Sequence, residues 1–297
     1  MSDSFVQNIQ WFPGHMTKTL RLILSELKNA DIIIELTDAR IPISSRNPEI
    51  NKIVKDKPRL FLLNKGDLAD EIVTKEWITY YNEAENNAIA VNSKDKSTKR
   101  NVINKVHSIL HETIENKKRR GMSGTKIRAM VVGVPNVGKS TFINTMSSSA
   151  SAKTADKPGV TRGKQWVNTK ELDLLDIPGV LWHKFNSQLS ANHLAVTGAV
   201  SDSVIDINIL AESLLAELET KYPYAVAERY GVCITPGAEQ SSQISAIAKK
   251  RGMLLPGGTV DVERASIILI DEFRAGKLGR ISLERPSDIE EITKNDT

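Results

Sequence analysis

The order of two short runs constrains this chain more than any other feature. "GVPNVGKS" (Gly133 to Ser140) has the G-x-x-x-x-G-K-S spacing of a phosphate-binding loop and lies between a predicted strand and a predicted helix. "FLLNKGD" (Phe61 to Asp67) ends an apolar run in Asn-Lys-x-Asp, a set of groups suited to reading a purine base, yet it lies far upstream of that loop. A domain of this kind ordinarily opens with its phosphate loop, and the base reader follows. Either one run is accidental or the domain has been cut and rejoined at a new place.

The surrounding pattern favours the second reading. Short β-branched runs alternate with helical stretches, which predicts a parallel sheet covered on both faces. "DIIIEL" (Asp31 to Leu36), "RLFLL" (Arg59 to Leu63), "AIAV" (Ala88 to Val91) and "IRAMVVGV" (Ile127 to Val134) read as buried strands. "KQWVNTKELDLLDIPG" (Lys164 to Gly179) reads as two more, joined by a tight turn at Asn168 to Lys170. Amphipathic helices fall between them, at Thr19 to Lys28 and Asn101 to Lys118 among others. The expected fold is α/β, with a six-stranded, mostly parallel sheet.

After Gly179 apolar residues recur at helical spacing, as in the stripe Ile207, Leu210, Ala211, Leu214, Leu215 and Leu218. Further helices are expected around Ala225 to Arg229, Ser241 to Arg251 and Val262 to Arg274, separated by "TPGAE" and "LPGG". We therefore expect a nucleotide-binding domain over residues 1–183 and a smaller all-α domain over 184–297, with a frayed tail. A chain of 297 residues, 40% hydrophobic and 26% charged, is long enough for both.

The chemistry of the runs is specific. Backbone N–H groups of Asn136, Val137, Gly138, Lys139, Ser140 and Thr141 would wrap phosphates at a helix start. Lys139 would bridge the β- and γ-phosphates, and the Ser140 hydroxyl would bind Mg²⁺. "LLDIPG" supplies Asp176 for a magnesium-bound water and Gly179, whose N–H could meet the γ-phosphate. Asp67 can accept from guanine N1–H and the 2-amino group, which adenine does not offer. Asn64 and Lys65 accompany it, Lys65 laying its stem along the base. A polar turn after a buried strand is the competing reading of "NKGD". "AVNSKDK" weighs against it, because a second strand ends in Asn92, Ser93 and Lys94, whose backbone N–H groups could meet the guanine oxygen. Two base readers after two strands make both motifs real, and the domain is a rotated one. The rotation costs little if "KKRRGMSGTK" (Lys117 to Lys126) bridges a short gap between the old ends.

At this point the chain resembles a known family, the circularly permuted P-loop GTPases of the YlqF/RbgA group, ribosome biogenesis GTPase A. The matching stretches are "WFPGHM" (Trp11 to Met16), "DARIPISSRNP" (Asp38 to Pro48), "LLNKGD", "GVPNVGKST", "KPGVTRGKQW" (Lys157 to Trp166), "LLDIPGVLW" (Leu175 to Trp182) and "LAVTGAV" (Leu194 to Val200). They run in the family's order across nearly the whole chain. The resemblance implies a cytoplasmic bacterial factor that binds GTP and GDP with Mg²⁺ and helps complete the large ribosomal subunit. It implies that Thr161 joins the Mg²⁺ shell, that Asn136 helps hold K⁺ beside the phosphates, and that the helical domain binds RNA.

Many GTPases place a glutamine after Asp-x-x-Gly to orient the attacking water, whereas Val180 and Leu181 follow here. The resemblance nominates His15 for that role; a helix-start or packing histidine is the alternative. His107, His111, His183 and His193 are expected to be structural or solvent-facing.

Charge and cysteine content add bounds. The net charge of +4 permits an acidic partner without demanding one. Basic residues gather at Lys117 to Arg120, at Lys249 to Arg251, and at Arg274, Lys277 and Arg280. Cys233 is the single cysteine, so no intrachain disulfide forms, and it is expected to be buried and inert in a reducing compartment. No run of about 18 apolar residues suggests a membrane span. A monomer acting on a ribosomal precursor is the leading reading. A nucleotide-gated RNA-binding scaffold and a P-loop ATPase are the rivals.

Overall fold

A computed structural model of the chain describes residues 13–293 except 55, 85–86, 123–125, 148–163, 183–184 and 186; the side chains of residues 13–15 and 204 also lie outside the described set. Six strands form one sheet: β1 (Ile32–Asp38), β2 (Arg59–Asn64), β3 (Asn87–Ala90), β4 (Ile127–Val132), β5 (Gln165–Asn168) and β6 (Leu172–Asp176). Their order is β3-β2-β1-β4-β6-β5, all pairs parallel except β5 with β6. Counted from the phosphate-loop strand β4 as the first, the sheet reads 2-3-1-4-5-6, so the permutation alters the chain order and leaves the sheet intact.

Twelve α-helices accompany the sheet among the described residues. Those of the sheet-bearing part are α1 (Pro13–Glu26), α2 (Pro48–Val54), α3 (Glu71–Glu83), α4 (Ser97–Ile109), α5 (His111–Arg119) and α6 (Lys139–Met146). Beyond it come α7 (Gln188–Val196), α8 (Ile207–Lys221), α9 (Ala225–Tyr230), α10 (Gln240–Lys250), α11 (Val262–Arg274) and the short α12 (Ile289–Thr293). The one strand-like pairing described after β6 is an isolated bridge between Leu254 and Val260.

Alternation along the central strands sends side chains to two cores. Ile32, Ile34 and Leu36 of β1, with Ala129 and Val131 of β4, face the larger apolar cluster. Ile33, Met130 and Val132 face the opposite side, where α1 and α2 contribute Ile23 and Ile50. A third cluster packs Trp77 and Tyr81 of α3 under Phe61 and Leu63 of β2. The larger cluster continues without interruption into Leu214 and Leu218 of α8 and Leu269 and Phe273 of α11. The helical part is thus seated on the sheet by shared apolar burial.

One expected helix is divided. The stretch Asn101 to Lys118 turns at Leu110, whose φ of −99° and ψ of 14° take it out of helical geometry while its side chain is buried in the large cluster. Cys233, expected to be buried, is exposed in the segment between α9 and α10. Neighbouring Gly231, at φ 67°, caps α9, and beyond it Val232 and Ile234 turn to the large cluster while Cys233, between them, faces outward.

Candidate nucleotide-binding site

β4 runs at the centre of the sheet into a loop that ends at the first turn of α6. Gly138 caps that helix at φ 102°, and a Cβ built there would lie 2.3 Å from Nδ2 of Asn64, so any side chain would push the two nucleotide loops apart. Lys139 is buried, and its ammonium donates to the carbonyls of Gly133 and Val134, each at 2.9 Å. Burial disfavours the ammonium and brings its pKa down to about 8, against the pull of Asp176. At the end of β6, burial pushes the Asp176 carboxyl up to about 6, against the pull of Lys139. Asp176 Oδ1 is buried and has no hydrogen-bond partner. An orphaned carboxylate oxygen, with a half-buried Ser140 hydroxyl in the adjoining helix turn, is a hard-oxygen donor set that fits Mg²⁺. Gly179 closes over this floor: a Cβ there would sit 2.5 Å from Lys139 Nζ and 2.9 Å from Pro135 N.

The base-reading runs lie beside this loop at the ends of β2 and β3. Asn64 is 2% exposed and bonds three ways. Its Nδ2 donates to the Val137 carbonyl at 2.7 Å, and its Oδ1 accepts from Ser93 N at 3.0 Å and Ser93 Oγ at 2.7 Å. Asn64 is therefore the tie between the phosphate loop and both base-reading loops. The Ser93 N–H, expected on the guanine oxygen, is committed to Asn64. The Lys94 N–H is likewise taken by Asn92 Oδ1 at 2.9 Å, an Asx turn that shapes this loop. Lys65 adopts φ 59°, and its ammonium pairs with Asp38 Oδ2 at 3.0 Å instead of extending freely. Asp67 is exposed at the head of the turn. Thr145 of α6 donates its hydroxyl to the Ser93 carbonyl at 2.5 Å, fastening the second reader to the phosphate helix.

Comparisons with known proteins bear on the family and the fold. A family model described as "50S ribosome-binding GTPase" matches residues 128–226, which contain the phosphate loop and Asp-x-x-Gly and leave the base reader upstream. Ribosome biogenesis GTPase A of Bacillus cereus is 42% identical over 95% of this chain and 96% of its own. That of Thermotoga maritima is 30% identical over 97% and 99%. This chain belongs to the ribosome biogenesis GTPase A family. It is a GTPase. The GDP-bound YlqF structure superposes with a TM-score of 0.66 at 28% identity, covering 90% of this chain and all of that one. The GNP-bound YlqF of T. maritima gives 0.64 at 28% identity, over 91% and 98%.

In this member of the ribosome biogenesis GTPase A family, Asp38 and Arg40 lie beside the site without having been assigned a role from sequence. The "DAR" run holds Asp38 and Arg40 in a buried pair: Arg40 Nε and Nη2 donate to the two carboxylate oxygens at 2.9 and 2.8 Å. Burial alone would raise the Asp38 pKa, but Arg40 and Lys65 hold it well below the usual carboxylate range. Arg40 also lies over the Phe273 ring at 5.0 Å, so Lys65 is connected through Asp38 to α11. Asn136, a cation ligand by resemblance, donates Nδ2 to the Gly198 carbonyl at 2.7 Å and so joins the phosphate loop to the end of α7. Val180 and Leu181, after Gly179, are 7% and 3% exposed. Thr161 and the His15 side chain lie outside the described residues, although the backbone of His15 lies in the first turn of α1.

His193, expected to be structural or solvent-facing, is structural and charged. It donates Nδ1–H to Glu284 at 2.8 Å and Nε2–H to Glu217 at 3.0 Å. Burial would lower its pKa, but Glu217 and Glu284 raise it to about 9. The basic groups divide likewise. Arg274 donates to the Val196 and Ala195 carbonyls and pairs with Asp202 at 2.7 Å, and Lys117 pairs with Asp31 at 2.7 Å. Lys249 and Lys250 are exposed at the last turn of α10.

Proposed function

We propose that this chain is a guanine-nucleotide switch in the maturation of the large ribosomal subunit. Its GTP-bound form docks on the immature particle, docking accelerates hydrolysis, and GDP triggers release. The observation that carries the reading is an asymmetry: the site has the groups that hold nucleotide, while the positions after Asp-x-x-Gly are filled by the buried apolar side chains of Val180 and Leu181. Such a site binds well and turns over slowly until another group orients the water. The relatives' names, in bacteria and in mitochondria, support a ribosomal partner.

In this reading Asp67 reads guanine, Lys139 and the N–H groups from Asn136 to Thr141 hold phosphate, and Ser140, Thr161 and Asp176 hold Mg²⁺. When bound, Mg²⁺ neutralises charge on the β- and γ-phosphates. Asn136 serves a K⁺ through its side-chain oxygen, and His15 supplies the water-orienting group on docking. The nucleotide domain spans 1–183 and the helical domain 184–297, the latter meeting ribosomal RNA through Lys249 and Lys250. The protein acts as a cytoplasmic monomer. Among the described residues no helix is long and apolar enough to cross a membrane.

The test is GTP turnover alone, with immature large subunits and with mature ones. Stimulation by the immature particle supports the switch, and turnover indifferent to ribosomes refutes it. ATP replacing GTP at equal affinity would favour the ATPase reading, while RNA binding insensitive to nucleotide would favour a scaffold. His15→Ala is expected to bind GTP and subunits normally and to lose on the order of 10²-fold of the stimulated rate. Full stimulation in that variant would remove His15 from the mechanism.

A further inference from the structure

The turn that carries Asp67 is held by a residue 214 positions away in sequence. Arg280 donates Nη2–H to the Gly66 carbonyl at 2.8 Å and Nε–H to the Ala69 carbonyl at 2.7 Å, one on each side of Asp67. Between these bonds, the Ile281 N–H donates to the Leu68 carbonyl at 3.0 Å, and the Ser282 hydroxyl accepts from Asp70 N at 3.1 Å. Gly276 packs against Leu68 so closely that a Cβ would lie 2.7 Å from its Cδ2. The third Arg280 nitrogen, Nη1, faces Glu71 at 3.5 Å. Arg280 thus directs two of its guanidinium N–H donors to backbone oxygens of this turn and a third nitrogen towards Glu71.

We infer that Arg280 is a positioning residue for guanine specificity: the segment after α11 grips the Asn-Lys-x-Asp turn and sets where Asp67 presents its carboxylate. The inference rests on the reading of Asp67 as the guanine acceptor. Its physical basis is angular. A carboxylate accepting two parallel hydrogen bonds, from N1–H and the 2-amino group, tolerates less rotation than one accepting a single bond. Two carbonyls fixed on either side of Asp67 restrict the rotation that would spoil the second bond. By linkage, base occupancy stiffens the same contact and is felt at the end of α11.

The experiment compares GTP with ITP, which keeps N1–H and lacks the 2-amino group. Affinities and melting temperatures are measured for wild type, Arg280→Ala, Arg280→Lys, Asp67→Asn and the double variant Asp67→Asn/Arg280→Ala. Arg280→Ala is expected to weaken GTP about tenfold and ITP much less, the worth of one charge-assisted hydrogen bond. Arg280→Lys should restore part of the discrimination, and in the Asp67→Asn background the Arg280→Ala change should add little. If Arg280→Ala is insoluble, Arg280→Lys and Arg280→Gln carry the same GTP-to-ITP comparison. Equal losses for both nucleotides, or lower melting with unchanged discrimination, would make the clamp structural and overturn the inference. Unchanged preference in Asp67→Asn would instead show that the underlying reading of Asp67 is wrong, and the inference would fall with it.

Discussion

The two halves of the nucleotide site are held by different kinds of contact. The phosphate loop takes its shape mainly from itself: Gly138 turns it, Lys139 folds onto its own Gly133 and Val134 carbonyls, and α6 follows at once, with one bond each from Asn64 and to Gly198 tying it to the rest. The base-reading turn is supported from outside, by Arg280, Ile281 and Ser282 beyond α11 and by Tyr222, whose hydroxyl donates to Asp70 at 3.2 Å. A local loop keeps its geometry when distant parts of the chain move. A loop braced at long range reports on those parts. The contrast suggests that phosphate binding is the constant of this protein and that base recognition is the element its helical part can adjust.

The largest expected effect tests the local half. Lys139→Ala should lower affinity for a slowly hydrolysed GTP analogue by about 100-fold or more, roughly 2.7 kcal/mol. Melting of the ligand-free protein should hold or rise, because burying that ammonium is itself unfavourable. Retained affinity would mean that the base reader dominates binding and would reverse the contrast.

Asn64→Ala strikes the tie between the halves. It strands the Val137 carbonyl and both Ser93 donors in a buried place, so we expect about 2.5 kcal/mol lost in denaturant unfolding, with weaker binding of GTP and inorganic triphosphate alike. Loss confined to one of those ligands would show that the halves are independent.

His193→Gln loosens the brace at its far end, where Glu284 also accepts from the Ile43 and Ser44 N–H groups at 2.7 and 3.2 Å. The folded pKa of about 9 lies above the usual histidine value. The stability that charged His193 contributes is therefore complete below about pH 6.5 and lost as pH rises through about 9. The gap between wild type and His193→Gln should be on the order of 2 kcal/mol at pH 6 and shrink towards pH 9. A gap independent of pH would mean that the residue acts by shape alone.

The smallest effect belongs to Lys249→Ala/Lys250→Ala. Stability should stay within about 0.5 kcal/mol of wild type, because the lysines are exposed. The salt dependence of subunit binding should become shallower. Identical slopes would remove this helix end from the docking surface.

How much of this was legible in the sequence follows the same division. The phosphate loop, the Asp-x-x-Gly strand and all six strands could be read because their signals are contiguous, a spacing or a run of β-branched residues. The stripe from Ile207 to Leu218 was likewise legible as α8, with Leu210, Leu214 and Leu218 buried. Lys65, Asn92 and Ser93 were named for the base, and in this structure they shape and tie the loops. The brace could not be read: Arg280 and Arg274 stood in a basic cluster readable as solvated helix ends or as a surface for an acidic partner, and only the fold shows each of them donating to two backbone carbonyls. His193 carried no local signal, since its meaning comes from Glu217 and Glu284, distant in sequence. Cys233 was misjudged because cysteine's general tendency to be buried says nothing of a loop after a left-handed glycine.

The rotated chain order also sets a timetable. β1 pairs with β4 through Ile32 and Ala129, so the centre of the sheet cannot close during synthesis until the phosphate-loop strand has emerged, long after β1 to β3. The base-reading turn comes out early and waits longer still, because Arg280 follows its Gly66 contact by 214 residues. If Asp67 reads guanine as proposed, a nascent chain can fold its phosphate loop before Arg280 reaches the Asn-Lys-x-Asp turn, and purine discrimination would mature only as the segment after α11 leaves the exit tunnel.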